Sequence, residues 1–240
     1  MTVAKTLPIR FVLVRPGNAL NMGAAARALS NFGFDDMVAV EPKDENWRLA
    51  SASAIYASEL LRRAPVMSLE EAIADCSVVI GTASDHNREV RQPRVTLPAL
   101  APWLRRKLKA GGKAAVLFGS ETAGLNNEEV GLCSAILRIP TAPDAPSMNL
   151  GQAVAVIAYQ LSRFKLEKAV TRSEDPLLEG RQAKDFTELA LRAMERTGMN
   201  HHLSPAQKRL KFRSGLMRWS MTRADASFLS GLLKRLMGEG

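Results

Sequence analysis

Residues that ligate metals or form cross-links are scarce in this chain. Among 240 residues there are two cysteines, Cys76 and Cys133, and three histidines, His86, His201 and His202. Two thiols cannot make a disulfide scaffold. With histidine this sparse no HExxH or Cys/His set of ligand spacing exists, so no resident metal is expected. Long apolar runs are missing too. No stretch approaches the roughly 18 consecutive apolar residues that a membrane span needs. The N-terminal MTVAKTLPIRFVLVRP has no signal-peptide core before a small-residue cleavage site. The expectation is a cytoplasmic protein without membrane association.

The common nucleotide-binding fingerprints are equally absent. The turn after the first strand-like run reads RPGNALNMGAAARA and the one after the third reads GTASDHN; neither is GxGxxG. No GxxxxGK followed by Ser or Thr occurs, and Ser120 in FGSET lacks the GxSxG context of a nucleophile elbow. A Rossmann dehydrogenase, a Walker-type NTPase and an α/β-hydrolase all lose their signatures.

Acidic side chains are outnumbered. Lys and Arg total 33 against 24 Asp and Glu, a formal net charge of +9. Such an excess suits a polyanionic partner, because neutralising phosphates releases counterions; a solvated basic face would look the same in composition. With 46% hydrophobic and 24% charged residues the chain is otherwise of ordinary globular composition.

What is present is an alternation of short aliphatic runs with helical stretches. Strands are predicted at Ile9–Val14, Met37–Val40, Ser77–Gly81, Lys113–Phe118 and Ile136–Ile139. Helices are predicted at Met22–Asn31, Trp47–Arg63, Leu69–Asp75, Leu100–Lys109, Glu128–Cys133 and Leu150–Phe164. This is the pattern of an α/β domain with a mostly parallel sheet. Asn126 followed by Glu129 reads as a capping box.

Beyond Phe164 the sequence turns polar, with Pro176 and Gly180, and then strand-free. The organisation expected is a domain over residues 1–166, a linker over 167–181 and a small all-α extension over 182–240. Its helices are predicted at Ala183–Thr197, Pro205–Trp219 and Ala224–Met237. Phe228, Leu229, Leu232, Leu233 and Leu236 form an apolar stripe there. Lys208, Arg209, Lys211, Arg213, Arg218 and Arg223, interleaved with Phe212 and Trp219, read as a phosphate-contacting surface, with a solvated helix face as the alternative.

Three loops have unusual compositions: NALNMGAAARA at 18–28, FGSETAGL at 118–125 and IPTAPDAPSMNL at 139–150. In the first, Gly23 and the alanines permit close helix packing and leave Asn21 and Arg27 as the polar groups. In the third, prolines hold an extended loop directly before an apolar helix.

In order, spacing and residue type these loops resemble the three signature motifs of the SPOUT superfamily of RNA methyltransferases, in its 2′-O-ribose-methylating TrmH/SpoU branch. The likeness covers roughly residues 9–164. The early first strand, without an N-terminal substrate-binding domain, and the tail RTGMNHHLSPAQKRLKFRSGLMRWSMTRADASFLSGLLKRL are similar to tRNA enzymes of the TrmJ type.

The resemblance implies a SPOUT (α/β-knot) fold with a C-terminal trefoil knot, S-adenosylmethionine as cofactor, a homodimer and a tRNA substrate. The target implied is cytidine or uridine at position 32 of the anticodon loop. Two alternatives stay open: a ribosomal RNA 2′-O-methyltransferase of the same family, and a catalytically silent RNA-binding homologue. Adenine and ribose are expected against Thr82, Ala83 and Ser84, and against Gly119, Ile139, Ser147, Met148 and Asn149. Arg27 takes the activating role, with Asn21 nearby and Glu121 and Asn149 organising the site. A guanidinium holds its proton in proteins, which favours an electrostatic role for Arg27 over that of a base. Taken without the motifs, Arg27 is a surface helix residue, Glu121 holds a turn, and Asn149 is the N-cap of the next helix. The chain departs from the family at Met148, where leucine is common, and at Ser120, where arginine is frequent.

Overall fold

Six short aliphatic segments pair into one sheet in the structure, a computed structural model that describes residues 7–49, 54–83, 92–108, 111–163, 175–199 and 202–239. The strands are β1 (Ile9–Val14), β2 (Met37–Val40), β3 (Cys76–Thr82), β4 (Arg94–Thr96), β5 (Lys113–Phe118) and β6 (Ala135–Arg138). Their order is β2-β1-β5-β3-β6-β4, and every paired neighbour runs parallel.

Because a parallel sheet is covered on both faces, the strands other than β4 are apolar over most of their length rather than alternating with polar residues. Alternate side chains nevertheless enter different cores. Phe11, Leu13, Ile80, Val116, Phe118 and Leu137 face one layer of helices: α1 (Ala19–Asn31), α2 (Ser58–Arg63), α4 (Leu100–Lys107) and α6 (Leu150–Ser162). Val12, Val14, Val79, Leu117 and Ile136 face the other layer, α3 (Leu69–Ala72) and α5 (Asn127–Gly131). At the N-terminal strand ends, Arg10 bridges Asp36 and Asp75, and Lys113 does the same from β5.

Two expectations need correction. The single helix predicted over Trp47–Arg63 is a 3-10 turn at Trp47–Leu49 and a separate α2; Tyr56 takes φ +64°, which no right-handed helix accommodates. Strand β4 was not predicted. It has three residues, follows Pro93 and buries only Val95, too short a pattern for periodicity to register. The capping box at Asn126 and Glu129 forms as predicted.

The tail folds as α7 (Gly180–Thr197), α8 (Pro205–Trp219) and α9 (Arg223–Leu236) around Ala183, Phe186, Leu189, Leu216 and Met217. Only part of the α9 stripe packs. Leu229 and Leu233 turn inward, whereas Phe228 is 73% and Leu236 76% exposed.

This bundle seats on the sheet domain through α8. Arg213, 7% exposed, donates to the Gly180 carbonyl at 3.0 Å, and Ser214 Oγ accepts from Gln92 Nε2 at 2.9 Å. The Arg181 amide donates to Ala74 O at 2.9 Å, where a Cβ on Gly180 would lie 2.2 Å from Ile73 O. Among the described residues no helix is long and apolar enough to cross a membrane. Nor do three or more His, Cys, Asp or Glu side chains among them gather as metal ligands.

Candidate active site

Strands β1, β5, β3 and β6 are neighbours, so the loops leaving their C-terminal ends meet along one edge of the sheet, where open parallel sheets place ligands. After β5, FGSETAGL folds on itself. The Gly124 amide donates to Ser120 O at 2.8 Å, and the Ala123 amide donates to Ser120 Oγ at 3.2 Å. Ser120 is thus buried and committed to the turn, which gives a structural use for the residue that departs from the family. Gly119 has no room for a side chain: a Cβ there would lie 2.1 Å from the Gly124 carbonyl carbon.

That turn presents Glu121 to the first motif. Its Oε2 accepts from the Gly17 amide and its Oε1 from Asn21 Nδ2, both at 2.8 Å. One N–H of the Asn21 amide is committed to this carboxylate, which turns its oxygen toward the third motif. Asn149 Nδ2 donates to it at 2.8 Å. Asn149 Oδ1 in turn accepts from the Gln152 amide at 3.3 Å, so Asn149 is both N-cap and site residue. Three side chains from the three motif segments therefore form one relay, Glu121–Asn21–Asn149. Burial pushes the Glu121 carboxyl up, but the donors from Asn21 and from the Gly17 amide outweigh it and hold the group below the ordinary glutamate range. Glu121 is then a charged acceptor over the working pH range, suited to orienting Asn21 rather than to taking a proton.

Arg27 stands outside the relay. It lies six residues beyond Asn21 on α1, exposed, and makes no hydrogen bond or ion pair among the described residues. The close helix packing expected of the first motif is present: a Cβ on Gly151 would lie 2.7 Å from Ala24 Cβ, where α6 crosses α1.

The residues expected against the cofactor are distributed over the same strand ends. Thr82 Oγ1 donates to Leu117 O at 2.9 Å, and the Ala83 amide donates to Leu137 O at 3.2 Å, which stitches β3 to both neighbours. Ile139 is half-buried against the first core, Met148 is half-buried and Ser147 is exposed. Ser84 lies outside the described residues.

Arg15 was missed in the sequence. It takes φ +50°, pairs with the buried Glu129 of α5 and reaches Gly124 O at 3.4 Å. It thereby bolts the β5–α5 loop to the end of β1. The one local hint was an arginine directly before Pro16 at a strand end. Truncating one partner of such a pair leaves a buried charge alone, so Arg15→Ala is expected to cost about 3 kcal/mol. Urea unfolding measures it, and a loss below about 1 kcal/mol would show the pair to be solvated.

With the geometry in place, comparison with known proteins is direct. The SpoU rRNA Methylase family matches residues 8–159, more than half of the chain and every residue of the relay. The chain belongs to this family.

Its relatives include the tRNA (cytidine/uridine/adenosine-2′-O-)-methyltransferase TrmJ of Pseudomonas aeruginosa, 39% identical over 64% of this chain and 60% of that protein. Another is the tRNA (cytidine-2′-O-)-methyltransferase TrmJ of Methanocaldococcus jannaschii, 36% identical over 66% of this chain and 69% of that protein. The match spans less than two thirds of the Pseudomonas protein and of a Haemophilus influenzae relative, at 60% and 62% of their lengths. Among solved structures, TrmJ from Z. mobilis ZM4 superposes with a TM-score of 0.80 at 29% identity, covering 95% of this chain and 98% of that one. The family match ends before α7, while that structural likeness extends over the helical tail.

Proposed function

We propose that this chain is an S-adenosylmethionine-dependent methyltransferase that modifies a ribose 2′-hydroxyl of tRNA, at a cytidine or uridine of anticodon-loop position 32, as a cytoplasmic homodimer. The observation that carries this reading is the Glu121–Asn21–Asn149 relay, which ties the three motif loops together at the strand ends of a SpoU-family domain. The tRNA class rests on relatives that extend over the tail: a Yersinia pestis protein named tRNA (cytidine/uridine-2′-O-)-methyltransferase TrmJ aligns with 94% of this chain at 29% identity. In this reading residues 1–166 are catalytic, 167–181 link, and 182–240 contact RNA. The position of β6 between β3 and β4, with α6 returning onto α1, supports a chain threaded as a trefoil knot.

The residues present suit the cofactor. Ala83, Gly119, Ile139 and Met148 set small or half-buried apolar groups beside the backbone amides and carbonyls of adjoining strand ends, the lining that holds an adenosine without special side chains. Thr82, Ser84, Ser147 and Asn149 complete the set. When bound, S-adenosylmethionine supplies an electrophilic methyl group. Arg27, which has no carboxylate partner among the described residues, grips an RNA phosphate and stabilises the 2′-oxygen as it gains negative charge, while the proton leaves through water or a phosphate oxygen. Asn21, fixed at both ends of its amide, holds the strand-end loops in register around the reacting ribose. Alignment of the reacting atoms is worth roughly 7–11 kcal/mol in favourable cases.

The test is transfer of labelled methyl from S-adenosylmethionine to total tRNA and, separately, to ribosomal RNA, followed by nuclease mapping. Label at an anticodon-loop pyrimidine ribose is expected. Label in ribosomal RNA alone would keep the chemistry and overturn the substrate, and no label in either would leave an RNA-binding protein.

A further inference from the structure

The cations of the helical tail divide into those with carboxylate partners and those without. Arg209 pairs with Glu188, Arg223 with Glu179, and Arg192 and Arg196 with Glu239. Arg213 is buried in the seam. Among the described residues Lys208, Lys211, Lys234 and Arg235 have no carboxylate partner either, so what sets the C-terminal end of α8 apart is its contact with a second basic helix end. Arg218 donates to Ser214 Oγ at 3.0 Å, and Lys107 in the last turn of α4 donates to Ser220 Oγ, which brings the basic ends of two helices together. Among the described residues Arg106, Lys107 and Arg218 have no carboxylate partner. Burial first, and then repulsion from Arg106, holds the Lys107 ammonium below its ordinary range, as expected where like charges gather uncompensated.

The residue before Ser220 in this contact is Trp219, 62% exposed. Its ring is held on two sides. Phe212 meets it edge-on with centroids 6.4 Å apart, and a Cβ on Gly215 would lie 3.4 Å from the six-membered ring. The dipole of α4 accounts for cations in its last turn. It does not account for a pre-ordered, open indole next to them. An indole fixed before binding loses little conformational freedom when it stacks, and cations without a carboxylate partner have no ion pair to break.

We propose that the end of α8 and the last turn of α4 form an RNA-contacting surface in which Trp219 stacks an unpaired base while Arg106, Lys107 and Arg218 hold neighbouring phosphates. This rests on the tRNA reading above and gives that RNA a second point of attachment. Helix α4 follows β4 and precedes β5, so its last turn lies at the end of the sheet opposite the relay. An RNA touching both must extend about 20 Å, the length of a six-residue strand.

The experiment uses the full chain and total tRNA, with filter binding and tryptophan emission read in parallel. Trp47 is buried and Trp103 half-buried, so the RNA-induced quench is expected to come mainly from Trp219 and to vanish in Trp219→Phe. Trp219→Ala is expected to raise Kd about fivefold to a hundredfold, and Trp219→Phe less, since phenyl still stacks. Arg106→Gln lowers the slope of log K against log salt by about 0.7–0.9. Heparin, a polyanion without bases, competes for binding without quenching Trp219. Unchanged binding in Trp219→Ala, a quench that persists in Trp219→Phe, an equal quench by heparin, or an equal loss in Phe228→Ala on α9 would each overturn the surface. Labelled methyl transfer to the same tRNA keeps the two readings apart. Trp219-dependent binding without transfer sinks the enzymatic reading alone, and transfer with Trp219-independent binding sinks the surface alone.

Discussion

Arg27→Ala is expected to lower methyl transfer to tRNA by about 10²–10³-fold, the usual effect of removing one preorganised donor that faces developing charge. The same substitution should leave stability within about 0.5 kcal/mol, because Arg27 is exposed and holds no other described side chain in place. This separation of activity from stability distinguishes Arg27 from the relay. Asn21 contacts both Glu121 and Asn149, so its loss would disturb the loops as well as the chemistry. Initial rates with labelled cofactor, beside melting curves of both proteins, give the comparison. An alanine variant that keeps more than a tenth of the wild-type rate would remove Arg27 from the mechanism.

Gly119→Ala is expected to destabilise the fold by about 3 kcal/mol, the upper end of the cost of overpacking, and to weaken cofactor binding at least tenfold. The new methyl group would lie 2.1 Å from the Gly124 carbonyl carbon and 2.2 Å from the Leu125 amide nitrogen. Neither is the far end of a flexible side chain, so relief requires the loop to open or the end of β5 to shift. Gly124→Ala offers an internal control. Space is open there, and the cost of about 1–2 kcal/mol comes only from φ +65°. Urea unfolding and calorimetric titration with S-adenosylmethionine measure both variants. A Gly124 variant damaged more than the Gly119 variant would show that backbone conformation, not close approach, governs this loop.

Several elements could be read from the chain because their causes are local. Aliphatic runs of four to six residues name the strands, Asn126 and Glu129 name a cap, and Pro140, Pro143 and Pro146 mark the extended loop before α6. The error over Trp47–Arg63 has a local cause too, but one that composition hides: nothing about tyrosine announces the left-handed conformation of Tyr56. In the tail, hydrophobic spacing located α9 and misjudged its face. A stripe of five apolar positions is wider than the bundle covers, and only packing against α7 decides that Leu229 and Leu233 turn inward.

By itself, then, the sequence determined the alternating α/β pattern, the three loops of unusual composition with Asn21, Arg27, Glu121 and Asn149 in them, and the all-helical tail. Each follows from periodicity, capping or motif within a short window. The tertiary structure alone decided which of those residues meet. Glu121 lies 100 residues from Asn21, Asn149 lies 128 from it, and Arg15 lies 114 from Glu129. It also decided that Arg213, one of six tail cations read as a basic surface, is sealed into the seam, while Trp219 stays open beside α4. The physical reason is the strand order. Placing β1 beside β5, and β6 between β3 and β4, is set by the burial of two whole sheet faces, a sum over the domain that no local window contains.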